Sequence, residues 1–283
     1  MNYIIIDVSY LIFYRYFALL QWWKMAKPEE PIDNPIENKE FVDKFRKTIQ
    51  ESVETIKKNL KLHTNRRQNP PVKVIMARDC PRKEIWRMKL YPEYKGTREK
   101  DDTFMGGPFF SMVYKEKLLY NTECKDILYE PHLEADDIIA ITTNYLKNSP
   151  DTEKIYIIAN DMDYLQLCSE NCHVVNLKKQ YLMENKKAYP QADKNLMVKI
   201  ILGDKSDNIE PVFKRCSIKQ AEMLYDNQEL LQERLKQENA YEKIQLNSTL
   251  IDFNEIPIDY KARVFTKLET IFNTNKVNCN DGI

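Results

Sequence analysis

The chain has 283 residues, with 43 Lys and Arg against 43 Asp and Glu and a hydrophobic share of 43%, a composition that fits a globular protein with one large domain or a main domain and an appendage. Its zero formal net charge argues against a uniformly basic nucleic-acid binder, although acids neutralised by metal would leave the remaining surface basic. Six Cys without a Cys-x-x-Cys pattern and only three His argue against a zinc finger or ribbon and suit a reducing compartment.

Taken in chain order, Tyr3–Ile6 is a short β-branched run that reads as a buried strand, ending at Asp7. Tyr10–Lys24 and the longer Phe41–Leu62 have helical period. Between them, 27–36 carries three prolines among acidic residues and reads as a surface loop. Val72–Ala77 is a second strand, followed by Asp79. The basic and aromatic stretch Trp86-Arg87 through Tyr91-Pro-Glu-Tyr94-Lys95-Gly-Thr-Arg98 comes next, then a break at 96–108. Phe109–Cys124 and Asp136–Leu146 read as helices, Ile155–Ala159 and Cys172–Leu177 as strands. After Pro190 the pattern becomes helical, with Gln191–Leu202, Ser217–Asp226, Glu229–Leu246 and Ile258–Ile271 as candidates and a polar tail from 273.

Strands alternating with helices predict an α/β fold, a mostly parallel central sheet flanked by helices, with a helical C-terminal part. No apolar stretch nears the ~20 residues of a membrane span. No secretory signal is expected either, because Asp7 interrupts the first apolar run. A soluble, intracellular protein of the cytoplasm is expected.

Acidic residues recur where these elements end. Besides Asp7 and Asp79 they are Glu134, Asp136 and Asp137 at a helix start, Asp161 and Asp163 after a strand, and Asp204 and Asp207 in Gly203-Asp-Lys-Ser-Asp-Asn208. Ligands of open α/β sheets bind beyond the carboxyl ends of the strands, where Asp7, Asp79 and Asp161 fall. Helix capping accounts for one or two acids at each place, and a turn rich in Asp, Ser and Asn is common. Crowded carboxylates need cations between them, and an all-oxygen donor set favours magnesium or manganese over zinc. The chemistry natural to a pair of such ions is in-line displacement at a phosphate. Lys and Arg of the 86–98 stretch would stabilise the phosphate, and its aromatics would stack on an unpaired base. A solvated basic loop is the plainer alternative.

These residues resemble the 5′ nucleases: flap endonucleases, the 5′-nuclease domain of bacterial DNA polymerase I and phage 5′ exonucleases. The matching stretches are Ile-Ile-Ile-Asp7, Tyr-Pro-Glu-Tyr-Lys95-Gly-Thr-Arg98, Glu134-Ala-Asp136-Asp137, Ala-Asn-Asp161-Met-Asp163 and Gly-Asp204-Lys-Ser-Asp207-Asn-Ile, in the family's order. The chain also resembles the T-even phage type of this family known as ribonuclease H, over Gly203–Arg215 and Leu250-Ile-Asp-Phe-Asn-Glu-Ile-Pro257.

The resemblance implies the PIN-like 5′-nuclease fold, with a nuclease core over 1–189 that includes a helical arch at about 97–114. A helical part over 190–272 with a degenerate helix-hairpin-helix and a tail over 273–283 would follow. It implies two Mg2+ ions, replaceable by Mn2+. Asp7, Asp79, Glu134 and Asp136 would serve mainly the first ion, and Asp161, Asp163, Asp204 and Asp207 mainly the second. Asp137 would act directly or through water. Lys95 and Arg98 would be catalytic, contacting the scissile phosphate. Trp86, Arg87, Tyr94 and Arg15 are expected to contact nucleic acid. The implied substrates are DNA with a 5′ flap or free 5′ end and RNA–DNA primer junctions. A replication clamp or single-strand-binding protein would be the partner, and the chain itself a monomer. A phage source would place it in the infected host cell.

Val8 stands where the family usually has Gly, and Arg15 lies one position beyond the usual Arg. The stretch after Asp207 lacks the glycines that let a helix-hairpin-helix approach phosphates by its backbone, so duplex contact is expected from Lys214, Arg215 and Lys219. The rivals are a PIN-type ribonuclease and a catalytically inactive nucleic-acid-binding relative.

Overall fold

The computed structural model describes residues 1–62, 71–98, 103–120 and 127–277. The basic pair Arg66-Arg67, residues 99–102 of the expected arch, the end of the expected Phe109–Cys124 helix and positions 278–283 of the expected tail lie outside the described residues.

The elements are β1 (Asn2–Asp7), α1 (Val8–Ala26), α2 (Lys39–Gln50), α3 (Ser52–Asn59), β2 (Val72–Ala77), α4 (Arg87–Leu90), α5 (Gly107–Lys115), β3 (Ile127–Leu128), α6 (Ala135–Lys147), β4 (Lys154–Ile158) and β5 (Cys172–Val175). The later helices are α7 (Ala192–Leu202), α8 (Ile218–Asp226), α9 (Gln228–Gln237), α10 (Tyr241–Ile251) and α11 (Ile258–Val277). The last of these runs past position 273. Among the described residues no helix is long and apolar enough to cross a membrane.

The strands form one sheet in the order β3-β2-β1-β4-β5, every pairing parallel. Helices cover both faces, which is why β1 reads as a continuous apolar run. Successive residues of β1 alternate between two cores. Ile4 and Ile6 pack with α1, α2, α3 and α5, whereas Tyr3 and Ile5 pack with α6 and α11. The chain leaves β1 to one side for β2 and β3 and to the other for β4 and β5. This reversal opens a crevice at the carboxyl ends of β1 and β4.

Two expected helices are broken. The 41–62 run divides at Glu51, where the Ser52 hydroxyl donates back to the Thr48 carbonyl at 2.6 Å, a bond that bends helices. The 229–246 run divides at Asn239, which has φ 49°. The Ala240 amide then reaches back to the Leu235 carbonyl at 2.9 Å, closing a left-handed cap that hydrophobic periodicity does not report. Strand β3, only two residues long, was too short to leave a pattern.

The helices after β5 build a core of their own from Val198, Ile201, Phe213, Leu224 and Leu231. By contrast, Val264 and Leu268 of α11 return to the sheet's second face. Leu268 is fully buried. Leu268→Ala should destabilise the whole chain by about 2–5 kcal/mol. Urea denaturation followed by far-UV circular dichroism and by tryptophan fluorescence should show both transitions shifting together.

Candidate active site

Each acid-bearing segment uses its carboxylates to begin a helical turn. Asp7 ends β1 and caps α1, accepting from the Tyr10 amide at 2.9 Å. Asp79, just past β2, accepts from the Ser9 hydroxyl at 2.6 Å and from the Ala135 amide at 2.9 Å. That second bond ties the end of β2 to the start of α6. Glu134 and Asp137 form a capping box at the same helix start, with the Glu134 amide donating to Asp137 at 3.1 Å. Asp161 caps the turn Met162–Leu167 and Asp204 the turn Lys205–Asp207. Capping and collecting charge are therefore done by the same residues.

Gly203 makes the last of these turns possible. Its φ is +68°, and a Cβ there would lie 2.4 Å from the Ile209 carbonyl oxygen, a conformation and an approach open only to glycine. The Asp204 amide and carbonyl then pair with Ile209 at 2.9 and 2.8 Å.

Asp163, Asp204 and Asp207 bring carboxylate oxygens within 4.8 Å of one another, a spacing that could hold a metal ion. The chain's own cations lie against this group. The Lys199 ammonium of α7 bonds to Asp163 and, at 2.6 Å, to Asp204. Lys95 bonds to Glu134 and lies 3.9 Å from Asp207, while Arg98 donates to Asp207 at 2.5 Å. Lys95 reaches inward from a left-handed backbone (φ 57°) that is uncommon for a side-chain-bearing residue, held by its amide on the Asp207 carbonyl at 2.8 Å. The oxygen donors and the ammonium groups already among them fit a site built for hard cations.

Lys199 was absent from the sequence-based expectations. Its signal was position: it lies on the helix that delivers Gly203-Asp204, little more than one turn earlier.

Crowding shows in the electrostatics. Burial, then the charges of Asp79 and Asp136, push Asp7 up to about 7. Burial and Asp136 push Glu134 up to about 7 against the pull of Lys95 and Arg87. Asp204 goes the other way: burial opposes its ionisation, but Lys199 and the Ser206 hydrogen bonds overcome it and hold the carboxyl at about 2.

Three residues expected to face nucleic acid are instead interior, and these expectations are corrected. Trp86, Arg87 and Tyr94 are 3%, 2% and 2% exposed. The Trp86 indole donates to Asp137 at 3.1 Å. Arg87 pairs with Asp137 at 2.7 Å and Glu134 at 3.2 Å. The Tyr94 hydroxyl lies 3.0 Å from both Glu134 and Asp207. An aromatic and basic pattern is the same for a solvent-facing strip and for groups that line a buried acid cluster. Asp137 is fully buried and taken up by Trp86, the capping box and Arg87, a cation it shares with Glu134. Arg15 is half-buried, donating to the Ser52 hydroxyl at 3.1 Å. Lys214, Arg215 and Lys219 are exposed.

Carboxyls held near neutral in the folded chain keep protons that the unfolded chain has lost. Their contribution to stability is therefore full below about pH 4 and is lost as the pH rises through about 7. The metal-free protein should lose melting temperature across that window, and Asp7→Asn should flatten the loss. Added Mg2+ should raise the melting temperature more at about pH 8 than at about pH 5.5, as differential scanning fluorimetry would read.

Residues 2–194 match the family described as the 5′-3′ exonuclease N-terminal resolvase-like domain. A 5′-3′ exonuclease of Buchnera aphidicola is 29% identical over 147 residues, half of this chain and 48% of that relative, so the chain aligns with about half of the relative's length. Among solved structures, the D15 protein of phage T5 crystallised with metal ions has a TM-score of 0.66 at 16% identity, covering 96% of this chain and 99% of that one. The T5 D15 flap endonuclease in a pseudo-enzyme–product complex with DNA and metal ions gives 0.65 at 16% identity, over 96% and 99% of the two chains. The structural likeness establishes a shared fold, and the sequence match over more than half of the chain establishes descent: this protein belongs to the 5′-3′ exonuclease family.

Proposed function

We propose that the chain is a divalent-metal-dependent 5′ nuclease that hydrolyses phosphodiester bonds near the 5′ ends of DNA with a flap, a free 5′ end or an RNA primer during replication. The observation that carries this is the gathering of carboxylates from distant segments around Lys95 and Arg98 at the carboxyl end of a parallel sheet. Asp7, Asp79, Glu134 and Asp136 would serve mainly one ion and Asp161, Asp163, Asp204 and Asp207 mainly the other, the latter supported by the Asp163, Asp204 and Asp207 cluster. With all-oxygen donors, the ions they would hold are magnesium or manganese. Two bound ions supply activation of water and neutralisation of the leaving oxygen.

The remaining work falls to this chain's own groups. Burial works against the Lys95 ammonium, but Glu134, Asp136 and Asp207 more than offset it and keep the group charged. Lys95 is thus held as a cation beside the site, with Arg98 on Asp207 next to it, and the two stabilise the charge that grows on a phosphate during displacement. Tyr94 holds Glu134 and Asp207 together through one hydroxyl.

The arch is proposed over about 97–114. Its described part includes Phe104, whose ring lies 5.0, 5.6 and 5.9 Å from Phe13, Tyr16 and Phe17 of α1. Duplex contact is assigned to Lys214, Arg215 and Lys219. The start of α8 is closed by a capping box in which Ser217 accepts from the Gln220 amide at 3.3 Å and Gln220 accepts from the Ser217 amide at 2.9 Å. Two of the amides at this helix start are thus taken up locally, and the exposed side-chain charges are the groups assigned to the backbone.

A 5′-labelled flap duplex with Mg2+ should yield short 5′ products. Asp161→Asn and Asp204→Asn should lower the rate by at least about 100-fold. Equal or better cleavage of unstructured RNA would favour a PIN-type ribonuclease, and flap binding without turnover an inactive relative. In binding assays run in Ca2+, Lys214→Ala and Lys219→Ala should each reduce the slope of log affinity against log salt by about 0.9. An unchanged slope would remove those residues from the interface.

A further inference from the structure

The segment around Leu250-Ile-Asp-Phe253 takes no part in the chemistry above, yet it and Asn247 bond Arg87, Gln166 and the backbone on either side of the Asp204–Asp207 loop. The Arg87 guanidinium, almost fully buried, donates through Nε to the Leu250 carbonyl at 2.8 Å. Its other nitrogens hold Glu134 at 3.2 Å and Asp137 at 2.9 and 2.7 Å. Gln166 lies in the Met162–Leu167 turn that Asp161 caps. Its amide donates to the Ile251 carbonyl at 3.1 Å and accepts from the Phe253 amide at 2.9 Å. Asn247, 2% exposed, donates to the Ile200 carbonyl at 2.9 Å and the Glu210 carbonyl at 2.8 Å. Those two carbonyls flank the loop that carries Asp204 and Asp207.

One helix end thus fixes the Glu134 group, the Asp161–Asp163 turn and the Asp204–Asp207 loop relative to one another. Leu250 and Ile251 reinforce it by packing with Tyr94, Ile200 and Ile209. Like charges driven together separate unless a rigid frame holds them, and cation affinity depends on donors held in place before the ion arrives. We propose that Asn247–Phe253 is the positioning frame of the metal site and acts through Arg87, Gln166 and Asn247. This rests on the metal-dependent reading of the acids, and it gives the C-terminal helices control over metal affinity.

The test uses Arg87→Lys, Gln166→Ala and Asn247→Ala in the full chain. The lysine keeps a charge for Asp137 but cannot also reach the Leu250 carbonyl as a guanidinium does. Mn2+ binding is measured directly by electron paramagnetic resonance, beside melting temperature and flap kinetics. The expected result is folded variants with about tenfold weaker Mn2+ binding, an unchanged KM for DNA, and a loss of kcat that excess metal restores. Wild-type Mn2+ affinity in all three variants, with only the melting temperature lowered, would overturn the proposal. Should Arg87→Lys fail to fold, the two uncharged substitutions decide. Wild-type protein that binds Mn2+ but cleaves no flap would sink the nuclease reading, while the Mn2+ affinities would still judge the frame.

Discussion

Repulsion among carboxylates at one end of a parallel sheet is the constraint around which this protein is built. Asp7 and Glu134 are driven toward neutrality by burial and by their acidic neighbours. A chain free to relax would let those groups drift into water. Here the acids are held by caps, by four basic side chains and by a frame of helices. Lys95, Arg87 and Lys199 each contact at least two acids. The site is therefore loaded with cations before any ion enters, and the protein's own ammonium groups occupy space that a divalent ion would contest.

Buried ion pairs of this kind seldom add net stability, because desolvation takes back most of the Coulomb attraction. Arg87 with Asp137 is such a pair, both ends almost fully removed from water. Its value lies in direction. A guanidinium has a fixed fork of donors, and this one distributes them among Glu134, Asp137 and the Leu250 carbonyl. Replacing the pair by hydrophobic residues would fill the volume but remove the link from Glu134 to the Leu250 carbonyl.

The same logic explains the aromatic groups nearby. Trp86 and Tyr94 each combine a large apolar body with one polar atom, and both aim that atom at an acid. The exposed Lys214 and Arg215 on the loop before α8 and Lys219 on its first turn face water instead. Arg98 stands between these settings, half-exposed and bound to Asp207.

Local sequence determined the strands of the sheet's centre and the acids at their ends, because burial on both faces writes a continuous apolar run and the next polar residue marks where it stops. It also determined the turn at Gly203, since only glycine tolerates that backbone. Tertiary structure alone decided which charges meet. Trp86 finds Asp137 across 51 positions and Arg87 finds Leu250 across 163, distances over which no periodicity or spacing carries information. It decided that Asp137 belongs to Arg87, that Lys199 belongs to the acids, and that an aromatic, basic stretch faces inward. A side chain's partner is set by which elements pack together, and that follows from the whole hydrophobic core rather than from any segment of it.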